Sequence, residues 1–464
     1  MLQPAVSMLR IQSIPVQQLR FRMSSSQVNY VADFVTKQTL TLSSLWQACG
    51  DSPSHLPPTV NAARKITNEA KLTSLLDWVG AQLERPVFSK TSRQCFLNEA
   101  TKRVKEAGSE IFDLTEDQMD SLNKLGIIRS AEAFYHQARG FDPFISFADI
   151  YQASRNVWTS NYLQVLLGLP VFLTPSIFAY SMLYPVSDNY LDDPHLDRSE
   201  KVAYNQRFRH WLEGDYQEKP QNWNEEDVLH LVRMVEGQYC RKEYPQVYES
   251  LLAIHQAQDK SMRLPKAPNF PPTEEVVQLT FEKGGTSVLA DGVLAAGQLS
   301  PDQMETIFNY GAFAQLMDDQ EDIAVDLREG SATLFTGAVR HGKADQTMNR
   351  VFNFAHQVLK GLERFNNPKA EALKGISMKG IDLLLIDAVS RAKRYYSRSY
   401  LQELENHFPF RFAYLHRVRD IIRKKGITAE RLAGLFLDDH EGTGKFSGNP
   451  INPMGFPRPL IAVK

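Results

Sequence analysis

Residues 311–330 read GAFAQLMDDQEDIAVDLREG and carry Asp318, Asp322 and Asp326 at intervals of four. Because an α-helix turns once in about 3.6 residues, this interval places the three carboxylates along one helix face. The apolar residues between them indicate that the opposite face is buried. Like charges at this spacing repel by about 0.2–0.5 kcal/mol per pair on an exposed helix. The row therefore indicates either a solvated acidic face or a site for a cation.

A second acidic segment, SDNYLDD at residues 187–193, places Asp188 and Asp192 at the same interval. It follows an uncharged run at residues 156–187 that is long enough to span a membrane. A glycine and several prolines interrupt this run, so we expect a pair of core helices and no stable membrane span. Acidic rows on two helices favour a cation site over a solvated face.

The composition excludes several classes of protein. The chain has 464 residues, of which 43% are hydrophobic and 23% charged, as in an ordinary globular protein. A net charge of -2 gives no reason to expect a nucleic-acid partner. The three cysteines, Cys49, Cys95 and Cys240, are few and scattered, which argues against a disulfide framework or a zinc site. They favour a reducing, cytoplasmic setting.

Helical periodicity dominates and no segment has a convincing strand pattern, so we expect an all-α fold. We divide it into a flexible or transit-like N-terminus at residues 1–32, an N-terminal helical region at 33–145, a helical bundle at 146–437 and an extended tail at 438–464. Residues 1–32 contain arginines and serines but no acidic residue, which is typical of an organellar transit peptide. The alternative is a disordered start with Met23 as the initiator.

Local signals predict particular helices in the bundle. Residues 225–262 predict one long helix, kinked at Pro245, and residues 368–406 predict another. Ser300 followed by Pro301 predicts the start of the helix that bears Asp318.

The acidic rows suit a specific chemistry. Hard oxygen ligands on both sides of a cleft would hold Mg²⁺, which retains waters and binds substrate phosphate oxygens. Such ions stabilise a diphosphate as a leaving group. The carbocation left behind requires a dry, aromatic cavity. Tyr180, Tyr184 and Phe313 precede the acidic rows by one or two helical turns. They are cavity candidates, with plain core packing as the alternative.

Two segments resemble a known family. Residues 283–297, KGGTSVLADGVLAAG, followed by YGAFAQLMDDQED at 310–322, are similar to trans-polyprenyl diphosphate synthases. In that family a helix with a lysine precedes a helix with a glutamine followed by DDxxD. Lys283 matches the lysine that contacts the diphosphate. The residues that match the second helix are Gln315, Asp318, Asp319 and Asp322.

The first acidic segment departs from that family. Asn189 stands where its second aspartate is expected, and only Arg198 follows where the family has paired arginines. Asp188 and Asp192 are instead similar to the DxxxD form of squalene and phytoene synthases.

Terpene synthases offer a further resemblance. Their metal ligands recur at i, i+4 and i+8, the spacing of the row that ends at Asp326. Arg394 and Tyr395 resemble the Arg–Tyr pair that these enzymes carry on a later helix. No Gly-Lys-Arg segment of the chain-elongating enzymes precedes Asp188, which favours an enzyme with one diphosphate site.

The resemblance implies a class I isoprenoid synthase, a single large helical bundle with an extra N-terminal helical region. Its catalytic Mg²⁺ ligands would be Asp188, Asp192, Asp318, Asp322 and Asp326. Its diphosphate would be bound by Arg198, Lys283, Arg394 and Tyr395. Its pocket would be formed by Tyr180, Tyr184, Phe313 and Gln315.

The resemblance leaves three functions open. The first is a terpene synthase that ionises a prenyl diphosphate and cyclises or quenches the carbocation. The second is a chain-elongating or head-to-head condensing prenyltransferase, and the third a non-catalytic helical subunit that regulates such an enzyme. The sequence also leaves open whether the protein is a monomer or a homodimer.

Overall fold

The computed structural model describes residues 30–52, 55–84, 90–193, 195–262, 264 and 269–436. Within these ranges the side chains of residues 90–93, 121–124 and 436 and of Asp188 and Asp192 are outside the description. The transit-like start, apart from its last three residues, and the extended tail lie outside the described residues.

The described ranges are helical with no strand, which confirms the all-α fold expected from the sequence. The helices, numbered in chain order, are α1 Tyr30–Ala48, α2 Ala62–Leu83, α3 Lys90–Phe112, α4 Glu116–Lys124, α5 Ile127–Phe141, α6 Phe147–Leu166, α7 Pro175–Asp192, α8 Arg198–Glu213, α9 Trp223–Gln238, α10 Pro245–Met262, α11 Thr273–Ala296, α12 Pro301–Glu321, α13 Ile323–Glu329, α14 Leu334–His341, α15 Asp345–Leu359, α16 Pro368–Arg391, α17 Arg398–Asn406, α18 Phe412–Lys424 and α19 Ala429–Phe436. Two 3₁₀ helices span Lys360–Arg364 and Lys393–Tyr395.

The two long helices predicted for residues 225–262 and 368–406 are wrong, because each is interrupted in the structure. The first is divided into α9 and α10. Helix α9 ends at Gln238, where Tyr239 takes an extended backbone with φ -123° and ψ 105°. Pro245 begins α10 and disfavours a helical conformation in the residue directly before it. The second is divided into α16 and α17. The extended backbone of Tyr396 and the N-cap bond of Ser397 to the amide of Tyr400 start a new helix.

The first helix shares the core of the bundle. Val31, Val35, Leu42 and Trp46 of α1 are buried in the same hydrophobic cluster as residues of α7, α11, α12 and α15. The Trp46 ring meets those of Phe281 on α11 and Phe354 on α15 edge to face, with ring centroids 6.1 and 5.7 Å apart. Residues assigned from the sequence to the N-terminal region therefore help to hold the central helices in place.

The uncharged run forms the C-terminal half of α6 and the N-terminal part of α7. Val157, Leu163, Phe178 and Met182 are fully or almost fully buried, so the run supplies core helices as expected. In the ranges listed above, no helix is long and apolar enough to cross a membrane.

Helices α11 and α12 are joined by a short turn and pack closely. Ser300 caps α12, with Pro301 at its first position, as the sequence predicted. A Cβ atom added at Gly284 would lie 2.5 Å from the Cβ of Gln315 and closer still to the carbonyl oxygen of Gly311. Only glycine at this crossing allows the two backbones to approach so closely. The crossing places the middle of α11 beside the acidic end of α12.

Candidate functional site

The row of aspartates lies at the junction of α12 and α13. Asp322 separates the two helices with φ -93° and ψ 7°, so the single continuous helix predicted for the row is interrupted there. The amide of Val325 donates to the carbonyl of Asp322 at 2.8 Å, a bond that tightens the chain at this point. The amides of Asp322 and Asp326 still donate to the carbonyls of Asp318 and Asp322. The three aspartates therefore keep their one-turn spacing.

Negative charge is in excess along this row. Burial, together with the charges of Asp319, Asp322 and Glu329, raises the pKa of Asp326 to about 7. Burial and the neighbouring Asp318 also raise the pKa of Asp322. Opposite charge nearby would favour the ionised carboxylates. The row has the electrostatic character of a cation site.

Asp319 differs from its neighbours because its carboxylate is held inside the protein. It is 8% exposed. Gln315 Nε2 donates to its Oδ1 at 2.8 Å, and Thr280 Oγ1 donates to its Oδ2 at 3.4 Å. Burial raises the pKa of Asp319 to about 6, against the opposing effect of these bonds and of Lys283. Gln315, expected in the pocket, is a hydrogen-bond partner of this carboxylate.

Lys283 and Thr280 come to the row from α11. The positive charge of Lys283 acts to lower the pKa of Asp319, Asp322 and Asp326. The contacts of Thr280 with Asp319 and of Gly284 with Gln315 place this part of α11 beside the row. The contact of Lys283 with a diphosphate stays a prediction. Thr280 was missed, although its position one turn before Lys283 on the same helix is the signal that could have identified it.

Arg155 is a second cation that sequence reasoning missed. Its Nη2 donates to Asp318 Oδ1 at 3.1 Å, and the two side chains are 59% and 40% exposed. The favourable charges of Asp318, Tyr184 and Glu321 outweigh burial and raise the pKa of Arg155. It immediately precedes the uncharged run, and only the fold reveals that it faces α12.

Helix α6 connects the two acidic segments. Asn189 Nδ2 on α7 donates to Asp149 Oδ1 on α6 at 3.3 Å, and Arg155 on α6 binds Asp318 on α12. Asp149 and Arg155 are six residues apart, or roughly 9 Å along the helix. The acidic segments of α7 and α12 therefore contact the same helix within two turns.

Asp188 and Asp192 belong to α7, but their side chains lie outside the described part of the structure. Their role as metal ligands stays a prediction. Among the side chains that are described, no group of three or more His, Cys, Asp or Glu residues has an arrangement that could hold a metal ion.

A largely apolar cavity of about 170 Å³ lies between α7, α8 and α10. Tyr180 and Tyr184, both expected in the pocket, are in its wall. Tyr180 donates from its hydroxyl to the Ser287 carbonyl at 3.2 Å, while Tyr184 is 37% exposed. Phe313, also expected there, is 3% exposed in the core and does not line this cavity. It lies on the part of α12 that packs inward, whereas the two tyrosines lie on α7.

Three other residues, Arg198, Arg394 and Tyr395, were also predicted to bind the diphosphate. Arg198 is exposed at the first position of α8. Arg394 and Tyr395 are on the 3₁₀ helix after α16, which corrects their assignment to a long helix. The guanidinium of Arg394 lies 4.5 Å from the Tyr395 ring centroid.

The residues on either side of Arg394 and Tyr395 contact the C-terminal end of α12. Arg391 Nη2 binds Glu321 Oε1 at 2.7 Å. Gln320 Nε2 donates to the hydroxyl of Tyr396 at 3.2 Å. Arg394 and Tyr395 are therefore held near the end of the helix that carries the acidic row.

Comparison of the chain with models of known protein families, with curated proteins and with solved structures gave no match.

Proposed function

We propose that the chain is a magnesium-dependent class I isoprenoid synthase that ionises a prenyl diphosphate and cyclises or quenches the resulting carbocation. One juxtaposition carries this proposal. The cavity walled by Tyr180 and Tyr184 lies on α7 directly before its acidic segment. Helix α6 packs beside this part of α7, and its Arg155 binds Asp318 in the acidic row of α12. An apolar chamber beside a charged row suits a substrate with a hydrocarbon tail and a diphosphate head.

The carboxylates are ligands of the type that Mg²⁺ prefers, although the described side chains are not arranged as a preformed metal site. The donor set is all oxygen, as this hard cation requires, and a bound cation would oppose the burial and the like charges that raise the pKa values of Asp322 and Asp326. Asp318, Asp322 and Asp326 would hold the metal from one side, and Asp188 and Asp192 of α7 from the other. When bound, Mg²⁺ supplies positive charge that stabilises diphosphate as a leaving group.

The chain's own cations would bind and orient the diphosphate. Lys283 is a compact charge beside the row. Arg155 has a planar fork of five N–H donors that matches phosphate oxygens, and Nη2 is the donor that meets Asp318. Such fixed positive charges favour departure of the diphosphate because they need no reorganisation as its charge develops. Arg198 and Arg394 are further candidates at the edge of this region.

The cavity would protect the carbocation. Its apolar wall keeps water from the hydrocarbon, and the ring of Tyr184 offers an aromatic face to positive charge, an interaction worth about 0.5–2 kcal/mol. Tyr180, fixed by its bond to Ser287, would form part of a rigid template for folding the chain.

A binding experiment tests the proposal without requiring the correct substrate. Inorganic diphosphate with Mg²⁺ should raise the melting temperature of the wild type, by about 2.7 kcal/mol of stability at roughly 100 times Kd. Asp318→Asn should reduce this stabilisation strongly. A matched control is Glu403→Gln, which changes an exposed acid on α17 and should leave the stabilisation intact. Equal stabilisation of all three proteins, or none of the wild type, would refute the site.

A further inference from the structure

Three neutral polar side chains line the cavity between α7, α8 and α10 and have no hydrogen-bond partner. They are Asn156 of α6, Ser187 of α7 and Gln258 of α10. Within the part of the chain that the structure describes, their side-chain nitrogen and oxygen atoms make no hydrogen bond, and none of these atoms is fully buried. Each residue is half-buried, so its polar atoms are accessible to a molecule inside the cavity.

Leucines, aromatic rings and a methionine make up most of the rest of the wall. A hydrocarbon that filled the whole cavity would cover the three polar side chains and leave their donors and acceptors unpaired, which costs free energy. A ligand with a hydrogen-bonding group beside them avoids this cost. Water is the smallest such ligand, and an amide or a hydroxyl offers it both a donor and an acceptor. The three side chains therefore form a polar patch with the chemistry of a water site.

Two of these side chains lie beside the proposed diphosphate site. Asn156 directly follows Arg155, whose Nη2 donates to Asp318 Oδ1 at 3.1 Å, and Ser187 directly precedes Asp188. Helices α6 and α7 thus bring two polar groups to the end of the cavity where the proposed function places the departing diphosphate.

We propose that Asn156, Ser187 and Gln258 hold the water molecule that captures the carbocation, so that the product is an alcohol. The inference rests on the proposed function and names its product class. A lone pair of the water oxygen forms a bond to the cationic carbon. The resulting oxonium ion loses a proton to the diphosphate that has departed, which leaves a neutral alcohol. None of the three side chains ionises, so they orient the water and take no proton.

The test measures the products formed from prenyl diphosphates and Mg²⁺ in water labelled with a heavy oxygen isotope. Capture of the cation forms a new carbon–oxygen bond and places the label on carbon, whereas hydrolysis at phosphorus leaves the unlabelled substrate oxygen there. We expect labelled alcohol to be the main product of the wild type. Asn156→Leu and Gln258→Met roughly keep the side-chain size but lose the hydrogen bonds. In each, the ratio of alcohol to olefin should fall at least about fivefold.

Gln256→Met is the matched control. Gln256 lies on the same helix as Gln258, but it is exposed and does not line the cavity. The variant makes the same chemical change outside the proposed water site, so it should keep the wild-type ratio of alcohol to olefin.

The outcomes separate this inference from the proposed function. A wild type that releases no diphosphate, or that forms only alcohol without the label on carbon, would refute the proposed function and the water site with it. An active wild type that forms only olefin would refute the water site alone. So would an unchanged ratio in both Asn156→Leu and Gln258→Met, or an equal fall in Gln256→Met. If one of the two cavity variants does not fold, the other decides the question.

Discussion

Gly284 of α11 and Gly311 of α12 meet where the two helices cross, with no room for a side chain on either. A Cβ atom on Gly311 would lie 2.9 Å from the Cβ of Val288 and closer to the carbonyl oxygen of Gly284. The same crossing brings Lys283 beside the acidic row. The glycines that directly follow Lys283 are therefore explained by packing, because they let α11 approach the helix that bears the row.

Gly311→Ala should destabilise the protein by about 1–3 kcal/mol, because the added methyl meets backbone that cannot move aside. The matched control is Gly380→Ala on α16, where a Cβ atom meets nothing within 4 Å. There alanine should stabilise the helix by about 0.5–1 kcal/mol. Urea denaturation measures both changes, and a neutral or stabilising Gly311→Ala would contradict the crossing.

Asp291→Asn should make stability less dependent on pH. Asp291 is buried on α11, accepts a hydrogen bond from Ser160 Oγ at 2.9 Å, and burial raises its pKa well above 3.8. The folded state therefore holds this proton more tightly than the unfolded state. Stability falls as pH rises from the unfolded pKa toward the folded one, by at most about 1.4 kcal/mol per pH unit.

Asparagine keeps the oxygen that accepts the Ser160 bond and cannot ionise. We expect Asp291→Asn to equal or exceed the wild type in stability at about pH 8, with a flatter profile from about pH 5 upward. Urea denaturation across this range provides the measurement. If the free energy of unfolding changed with pH in the same way in the wild type and the variant, Asp291 would not be the source of the pH dependence.

Arg155→Gln should weaken diphosphate binding while it leaves the stability of the fold nearly unchanged. The Arg155–Asp318 pair is well exposed, so its loss should change the free energy of unfolding by less than about 1 kcal/mol. Loss of charged hydrogen bonds to phosphate should weaken Mg²⁺-dependent diphosphate binding by about tenfold. The control is Arg364→Gln, which breaks a similarly exposed pair with Glu305. Equal diphosphate affinity in both variants, measured by calorimetry, would remove Arg155 from the site.

Tyr184→Ala should change products more than stability. Because Tyr184 is partly exposed in the cavity wall, its loss should cost less than the roughly 3–5 kcal/mol typical of buried aromatic truncations. In a cyclising enzyme, water-quenched alcohols or product mixtures should increase. In a chain-elongating enzyme supplied with isopentenyl diphosphate, longer products should appear instead. Gas chromatography beside a melting curve distinguishes these results, and an unaltered product profile with a much lower melting temperature would place Tyr184 in the core.

Local sequence signals predicted the helical class and several helix starts well. The N-cap of Ser300 depends on neighbouring residues alone, and the lack of charge in residues 156–187 was enough to predict their burial. The breaks before Pro245 and at Tyr396 were not predicted. Periodicity continues across a break when both flanking segments face the same core, so the pattern alone does not locate it.

The site was only partly predictable for a related reason. Lys283 and the acidic row are close in sequence and joined by one turn, so their proximity follows from two packed helices. Arg155 reaches Asp318 across 163 positions of the chain, and no local pattern encodes that contact.

Turnover of prenyl diphosphates of increasing chain length tests the central claim most directly. With Mg²⁺ present, the wild type should release inorganic diphosphate and form a hydrocarbon or alcohol, and excess chelator should stop both. Asp318→Ala and Asp188→Ala should each lower the rate by about 100-fold or more while the protein stays folded. Undiminished release in excess chelator, or no release from any prenyl diphosphate, would contradict the account.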